Sequence, residues 1–215
     1  MLNSVFPKIH KEGYRFLAIA VIITFVCLLF SKVLGLITSV LTIWVYYFFR
    51  DPDRISIQDD NFLVSPADGL ISNISEVDGP VELSLEEKKF TKVSIFMNVF
   101  NCHVNRNPVS AKVEEILYKP GKFLNASLDK SSEENERNYY KLKTKEGDDI
   151  IIVQIAGLIA RRIVCEVEVN QSLIQGERIG MIRFGSRVDI YFRNRKLLAK
   201  LGQNVVAGES LIAIK

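Results

Sequence analysis

Histidine is nearly absent from this 215-residue chain, which has only His10 and His103, far apart. A histidine metal cluster needs at least two close together, so that chemistry is excluded, and a membrane metallopeptidase with it. Cysteine is almost as scarce: Cys27, Cys102 and Cys165 are widely separated, odd in number and form no C-x-x-C pair. This fits a reduced compartment and supplies neither a disulfide framework nor a cysteine metal site, so no metal is expected. An excess of one charge is also lacking. Twenty-eight Lys and Arg against 25 Asp and Glu leave a formal charge of +3, scattered without the basic stripe that nucleic acid requires.

What is present is apolar material, 48% of the chain, enough for one globular domain and a short appendage. Residues 16–30 carry no charge, Ser31-Lys32 follows, and residues 33–49 are again uncharged and end in aromatics. Each run falls somewhat short of the roughly 20 residues of a spanning helix. A tight hairpin, a partly inserted pair and two full spans all fit. A cleaved signal peptide would show a small-residue cleavage site after one apolar core, whereas here a second core follows at once. Residues 1–54 are therefore expected to be a retained membrane anchor. Lys8, Lys11 and Arg15 precede it, Arg50 and Arg54 follow it, and Trp44, Tyr46, Tyr47, Phe48 and Phe49 form an interfacial belt, so both ends should face the cytoplasm. A hairpin buried in a soluble core would carry polar residues at helical spacing, and these runs carry almost none.

Asp51-Pro52-Asp53 stops the second helix, and residues 55–215 then read as a β-rich domain of short β-branched runs between Gly, Pro, Asn and Asp. Strands are expected at 69–77, 91–99, 112–118, 150–155, 163–169, 178–184, 188–192 and 210–214, with one helical turn invited by 157–162. Residues 128–145, rich in Ser, Glu, Asn and Lys, read as a mobile loop near the active site. Residues 171–180, QSLIQGERIG, resemble residues 203–212, QNVVAGESLI: each is a turn, Gly-Glu, then a strand. The phrase is similar to the hairpins of biotinyl and lipoyl domains, and SPADGLI at 65–71 to their opening strand. The fold class expected is a mostly β, sandwich- or barrel-like domain of that hybrid type behind a transmembrane helical hairpin. No lysine sits at a hairpin tip, which argues against a carrier role.

Chemistry narrows to few residues. His103 is the one imidazole of the β domain, at the end of an apolar strand that runs into the polar, Pro-terminated Asn105-Arg106-Asn107-Pro108; alone it could equally be structural. Asp68, in Pro-Ala-Asp-Gly, is alone an ordinary turn aspartate. Gly185-Ser186 is the single Gly-Ser dipeptide, and it interrupts an apolar strand pair. It could be a bulge or tight turn. As a chemical site, Gly185 has no side chain to block attack on its carbonyl, and the Ser186 hydroxyl is placed for an N-to-O acyl shift. Elimination of the acyl group would leave dehydroalanine, which hydrolyses to an N-terminal pyruvoyl group.

Five segments together, SPADG at 65–69, the strand into His103, KPGKFLNA at 119–126, QIAGLIARRI at 154–163 and RFGSRVD at 183–189, resemble the compact, membrane-anchored form of phosphatidylserine decarboxylase. The resemblance implies a proenzyme that cleaves itself between Gly185 and Ser186, giving two chains that stay together as a heterodimer; whether these associate further as a homo-oligomer is left open by the sequence. It implies a covalent pyruvoyl cofactor from Ser186, without pyridoxal phosphate or metal. It also implies a relay in which Asp68 orients His103 to activate Ser186. The substrate is then phosphatidylserine, whose amine condenses with the pyruvoyl ketone as a Schiff base before carbon dioxide leaves and His103 returns a proton. Arg161, Arg162, Arg183 and Arg187 are candidates for its phosphate, and equally ordinary strand-surface charges. Longer members carry His-x-x-His-x-Pro where this chain has Arg106 in the second histidine's place, which leaves the sharing of proton-transfer roles open. The competing function is a non-catalytic membrane adaptor with a lipoyl-like β domain.

Overall fold

The computed structural model describes residues 7–122, 134–157, 162–183 and 186–215. Two compact units divide the chain, Met1–Asp53 and Arg54–Lys215. In the first, helix α1 (Gly13–Phe30) and helix α2 (Lys32–Phe48) are separated by Ser31 alone, which is extended and returns its N–H to Cys27 O. The helices fold back on each other. Gly35 lies against Leu28 so closely that a side chain there would overlap it, and the Thr24 and Thr42 hydroxyls bond at 2.8 Å. Small residues and hydroxyl pairs are what apolar helices use to approach in lipid. The base of the hairpin is closed by His10 N–H to Phe49 O (2.8 Å) and Asp51 N–H to Lys8 O (2.7 Å). Helix α1 is long and apolar enough to cross a membrane, and α2 is shorter. At about 1.5 Å per residue they measure roughly 27 Å and 26 Å, against about 30 Å of hydrocarbon.

The second unit is β, as expected. In chain order its described strands are β1 (Phe62–Val64), β2 (Gly69–Asp78), β3 (Lys89–Met97), β4 (Val104–Arg106), β5 (Ala111–Lys119), β6 (Arg137–Thr144), β7 (Asp149–Ala156), β8 (Ile163–Cys165), β9 (Ser172–Leu173), β10 (Arg178–Ile182), β11 (Ser186–Phe192), β12 (Lys196–Leu197), β13 (Asn204–Val205) and β14 (Leu211–Ile214). Eight form one curled, half-barrel sheet in the order β13-β2-β3-β11-β7-β6-β5-β9, and two three-stranded sheets, β1-β14-β12 and β4-β10-β8, accompany it.

The order of the large sheet reads as a palindrome, and the chain obeys an internal two-fold relation. Strands β1 and β2 with β13 and β14 correspond to β4 and β5 with β9 and β10. Both β2 and β5 carry a register shift at equivalent places, between Ile71 and Asn73 and between Val113 and Glu115. Arg106 N–H donates to Pro66 O (2.9 Å) while Val64 N–H, its counterpart, donates to Pro108 O (3.0 Å). The two similar phrases seen in the sequence are the hairpins of this repeat. Gly176 N–H reaches Asn107 O and Gly208 N–H reaches Ser65 O, both at 2.8 Å. Their turns meet at Ser56, whose hydroxyl donates to Gly208 O. Each glycine has positive φ, 83° and 77°, a conformation in which a Cβ is strained.

One expectation is overturned. Part of the stretch read as a mobile loop, 137–144, is strand β6 in the middle of the sheet, paired to β5 and β7. Its Tyr139, Tyr140 and Leu142 are buried, as are the polar Arg137 and Asn138, and Arg137 pairs with Glu82 at 3.3 Å. Such a strand is closed on both faces, so its composition resembles a loop while its packing is that of a core. Residues 128–133 and most of the invited helical turn, 158–161, lie outside the described residues. The expected strand at 163–169 is shorter than supposed, and 188–192 begins earlier, at Ser186. Strand β7 is buried at every position, with the main core on one face and Leu83, Leu85, Phe90, Tyr139 and Tyr191 on the other.

Replacing Gly176 by Ala places a Cβ on the Ser56 hydroxyl as well as straining φ, whereas Gly147, at φ 87°, has nothing within 4 Å. Gly147→Ala should cost about 1 kcal/mol and Gly176→Ala at least about twice that, with a melting midpoint lower by several degrees. Equal midpoints in thermal denaturation would show that the junction of the hairpins contributes no stability.

Candidate active site

Ser186 is the first residue of β11 and is completely buried. It faces Met97 across one edge and Ala156 across the other. A strand paired on both sides holds its backbone more rigidly than the turn envisaged from sequence would. Gly185 lies outside the described residues. The Ser186 hydroxyl points at the Met97 thioether, Oγ to Sδ 3.4 Å, a weak acceptor that holds the hydroxyl without taking its proton.

His103 immediately precedes β4 and is also fully buried. Its carbonyl accepts from Ile182 N–H at 3.3 Å, which ties it to the end of β10, the strand whose continuation leads to Ser186. Its Nδ1 lies 3.0 Å from Asn101 O. With Nδ1–H donating to that carbonyl, Nε2 is the nitrogen that accepts a proton. The turn carrying Asn101 is braced by Asn98 N–H to Asn101 Oδ1 (2.9 Å) and Phe100 N–H to Asn98 Oδ1 (2.8 Å), so a backbone oxygen contributes to the ring's orientation.

Asp68 ends the turn between β1 and β2. That turn lies against β4 through Arg106 N–H and Pro66 O, so the aspartate and histidine segments are neighbours. One carboxylate oxygen of Asp68 accepts from Ala207 N–H at 2.7 Å and the other from Arg54 at 2.8 Å. Arg54 had been read only as a flanking charge; its pairing with Asp68 has no signature in the sequence, because the two meet through the fold.

The arginines separate. Arg161 lies outside the described residues. Arg162 is exposed, and its carbonyl accepts from Arg183 N–H at 3.2 Å; Arg183 is half-buried. Arg187 is 4% exposed and meets Asp189 through two contacts, Nη2 to Oδ2 at 3.0 Å and Nε to Oδ1 at 2.9 Å. Arg106, in the second histidine's place, is buried and donates to Gly176 O at 2.8 Å, against Gly208. It therefore braces the two hairpin turns.

Behind Ser186 runs a set of buried polar side chains that sequence reasoning missed. Asn105 Nδ2 lies 3.7 Å from the same Met97 Sδ, Gln154 Nε2 donates to Asn105 Oδ1 at 2.8 Å, and Tyr140 OH donates to Gln154 Oε1 at 2.7 Å, with Ile179 O at 3.2 Å. Burial pushes the Tyr140 phenol well above its ordinary pKa, so it remains a donor. Among the described residues no cluster of His, Cys, Asp and Glu could hold a metal.

Ser186 is thus a fully buried hydroxyl at the head of a doubly paired strand, His103 a buried imidazole, and Asp68 lies in a turn hydrogen-bonded to β4. A sequence profile of the phosphatidylserine decarboxylase family matches residues 41–213. Proteins named phosphatidylserine decarboxylase proenzyme are similar throughout. The one from Pelagibacter ubique is 67% identical over 215 residues, covering all of both chains. That from Ruegeria pomeroyi is 46% identical over 214 residues, 99% of this chain and 98% of the relative, and that from Rickettsia typhi 49% identical over 212 residues, 98% and 92%. Identity at this level along the whole length leaves one assignment: the chain belongs to the phosphatidylserine decarboxylase family.

Proposed function

We propose that this chain is a proenzyme that cleaves itself between Gly185 and Ser186 and then decarboxylates phosphatidylserine to phosphatidylethanolamine. The observation that carries the reading is the position of Ser186: buried, fixed by β3 and β7, with its hydroxyl on a non-basic acceptor, at the residue where the family resemblance puts the cut. In self-cleavage, Ser186 Oγ attacks the Gly185 carbonyl carbon, the C–N bond breaks, and the hydroxyl proton passes by way of His103 to the departing nitrogen, giving an ester. Loss of the Ser186 α-proton together with the Gly185 carboxylate gives dehydroalanine; water then releases ammonia and leaves the pyruvoyl group. Water exclusion around Ser186 favours the ester over premature hydrolysis.

Once formed, a pyruvoyl group supplies a carbonyl that takes up the substrate amine and accepts the electrons freed as carbon dioxide departs. The chain's own residues do the rest. His103 Nε2 is the group assigned to move protons, Asp68 the group that favours its cationic form, and Arg54 and Ala207 N–H hold Asp68. Arg162 and Arg183, with Arg161, are assigned to the lipid phosphate; Arg187, engaged with Asp189, is assigned to holding β11. The helical hairpin is assigned to the membrane, with its basic flanks and the β domain on the cytoplasmic side.

Ser186→Ala should remain one full-length, inactive chain on a denaturing gel, while the wild type gives two fragments, the smaller blocked by pyruvoyl in intact mass; a free serine at 186 would refute the mechanism, and an uncleaved wild type would favour the membrane adaptor. His103→Ala and Asp68→Ala should slow cleavage by about 100-fold or more. Arg54→Met, which removes one of the bonds to Asp68, should slow it by about tenfold. Normal fragment yields from all three would reduce these residues to structural parts.

A further inference from the structure

The internal two-fold relation provides a control that the protein carries within itself. Asn105 on β4 corresponds to Leu63 on β1, because each is the central residue of a strand whose neighbours, Arg106 and Val64, make the reciprocal bonds to Pro66 and Pro108. Tyr140 corresponds to Val93: they face Ile116 and Ile74, equivalent residues of β5 and β2. Gln154 on β7 corresponds to Phe192 on β11 by the same register. In one half the three positions are Leu63, Val93 and Phe192, all completely buried members of the main core. In the other half they are Asn105, Tyr140 and Gln154, equally buried and bonded in series. The architecture is thus satisfied by apolar residues at these places, and a buried polar series gains nothing in stability over apolar packing. What distinguishes the polar half is its end point: Asn105 reaches the sulfur that also holds Ser186 Oγ.

We infer that Asn105, fixed by Gln154 and Tyr140, is a positioning residue of the reaction centre: it pins Met97, and Met97 sets the rotamer of the Ser186 hydroxyl for attack on the preceding carbonyl. The inference rests on the self-cleavage reading and deepens it. It also bears on the missing second histidine. Side chains alternate along β4, so His103 and Asn105 share one face of the segment while Arg106 takes the other, toward Gly176 and Gly208. The polar companion of His103 is then Asn105 and not Arg106.

The test copies the apolar half into the polar one. Asn105→Leu alone strands the Gln154 amide and should lower the melting midpoint, whereas Asn105→Leu with Gln154→Leu removes both partners and should recover it, since Tyr140 OH keeps Ile179 O. Cleavage of the full-length chain, followed on gels after a pulse of cell-free synthesis with lipid vesicles, should nevertheless remain about tenfold to 100-fold slower than wild type in both. A double variant that regains the wild-type cleavage rate along with its midpoint would show a merely structural role and overturn the inference. Should the double variant not fold, Met97→Leu, which keeps the shape and removes the sulfur, is compared with Met181→Leu, an equally buried methionine of β10: slowing confined to Met97→Leu supports the inference, and equal wild-type rates refute it. Failure of the wild type itself to cleave would instead refute the self-cleavage reading.

Discussion

The antiparallel clamping of β11 between β3 and β7 is the constraint on which the placement of Ser186 depends. Seven residues of β11 find partners on β3 and six on β7, so the backbone of Ser186 is fixed from both sides at the place where the strand begins. A hydroxyl on a loop would sample many rotamers and admit water. Here the hydroxyl is buried and directed at a sulfur. The alternation of the same strand sends Arg187 and Asp189 to the opposite face, where they pair with each other beneath the segment around Leu83 and Leu85.

That central pair of strands is also where the two related halves of the domain meet. Duplication explains the similar Gly-Glu phrases and the reciprocal bonds between Val64, Pro66, Arg106 and Pro108. Its departures are more informative than its agreements. Met97 stands where the other half has Thr144, Asp68 where it has Ser110, and Asn105, Tyr140 and Gln154 where it has Leu63, Val93 and Phe192. Polar residues have gathered in one region of a scaffold that tolerates apolar ones there, and that region adjoins Ser186. The cost of burying them, about 1–3 kcal/mol for each group left unpaired, is met because each has a partner.

The chain combines a short apolar hairpin with a β domain whose Ser186 and His103 are enclosed from water. Apart from Arg15 and Lys32 near their starts, the helices are largely apolar and fit lipid, while the β domain encloses its one imidazole completely. The Arg106 guanidinium is part of the junction between hairpins, and Asn105, one residue earlier, is completely buried.

Local rules were enough to read from the sequence the two apolar helices, the β character and the repeated hairpins. Apolar runs make helices in lipid and Gly-Glu turns make hairpins, whereas Asp68, His103 and Ser186 were singled out by the family resemblance and not by local rules. Strand β6 could not be read so, because its charged and amide groups are buried by partners distant in sequence, and polar composition then imitates a loop. Nor could Arg54 be matched to Asp68, Met97 to Ser186, or Asn105 to Gln154 and Tyr140, since each contact joins strands or turns that only the sheet order brings together. The sequence by itself determined which groups are capable of the chemistry; the tertiary structure decided which of them touch, because hydrogen bonds and burial act over a few ångströms and the distance along a chain places no limit on either.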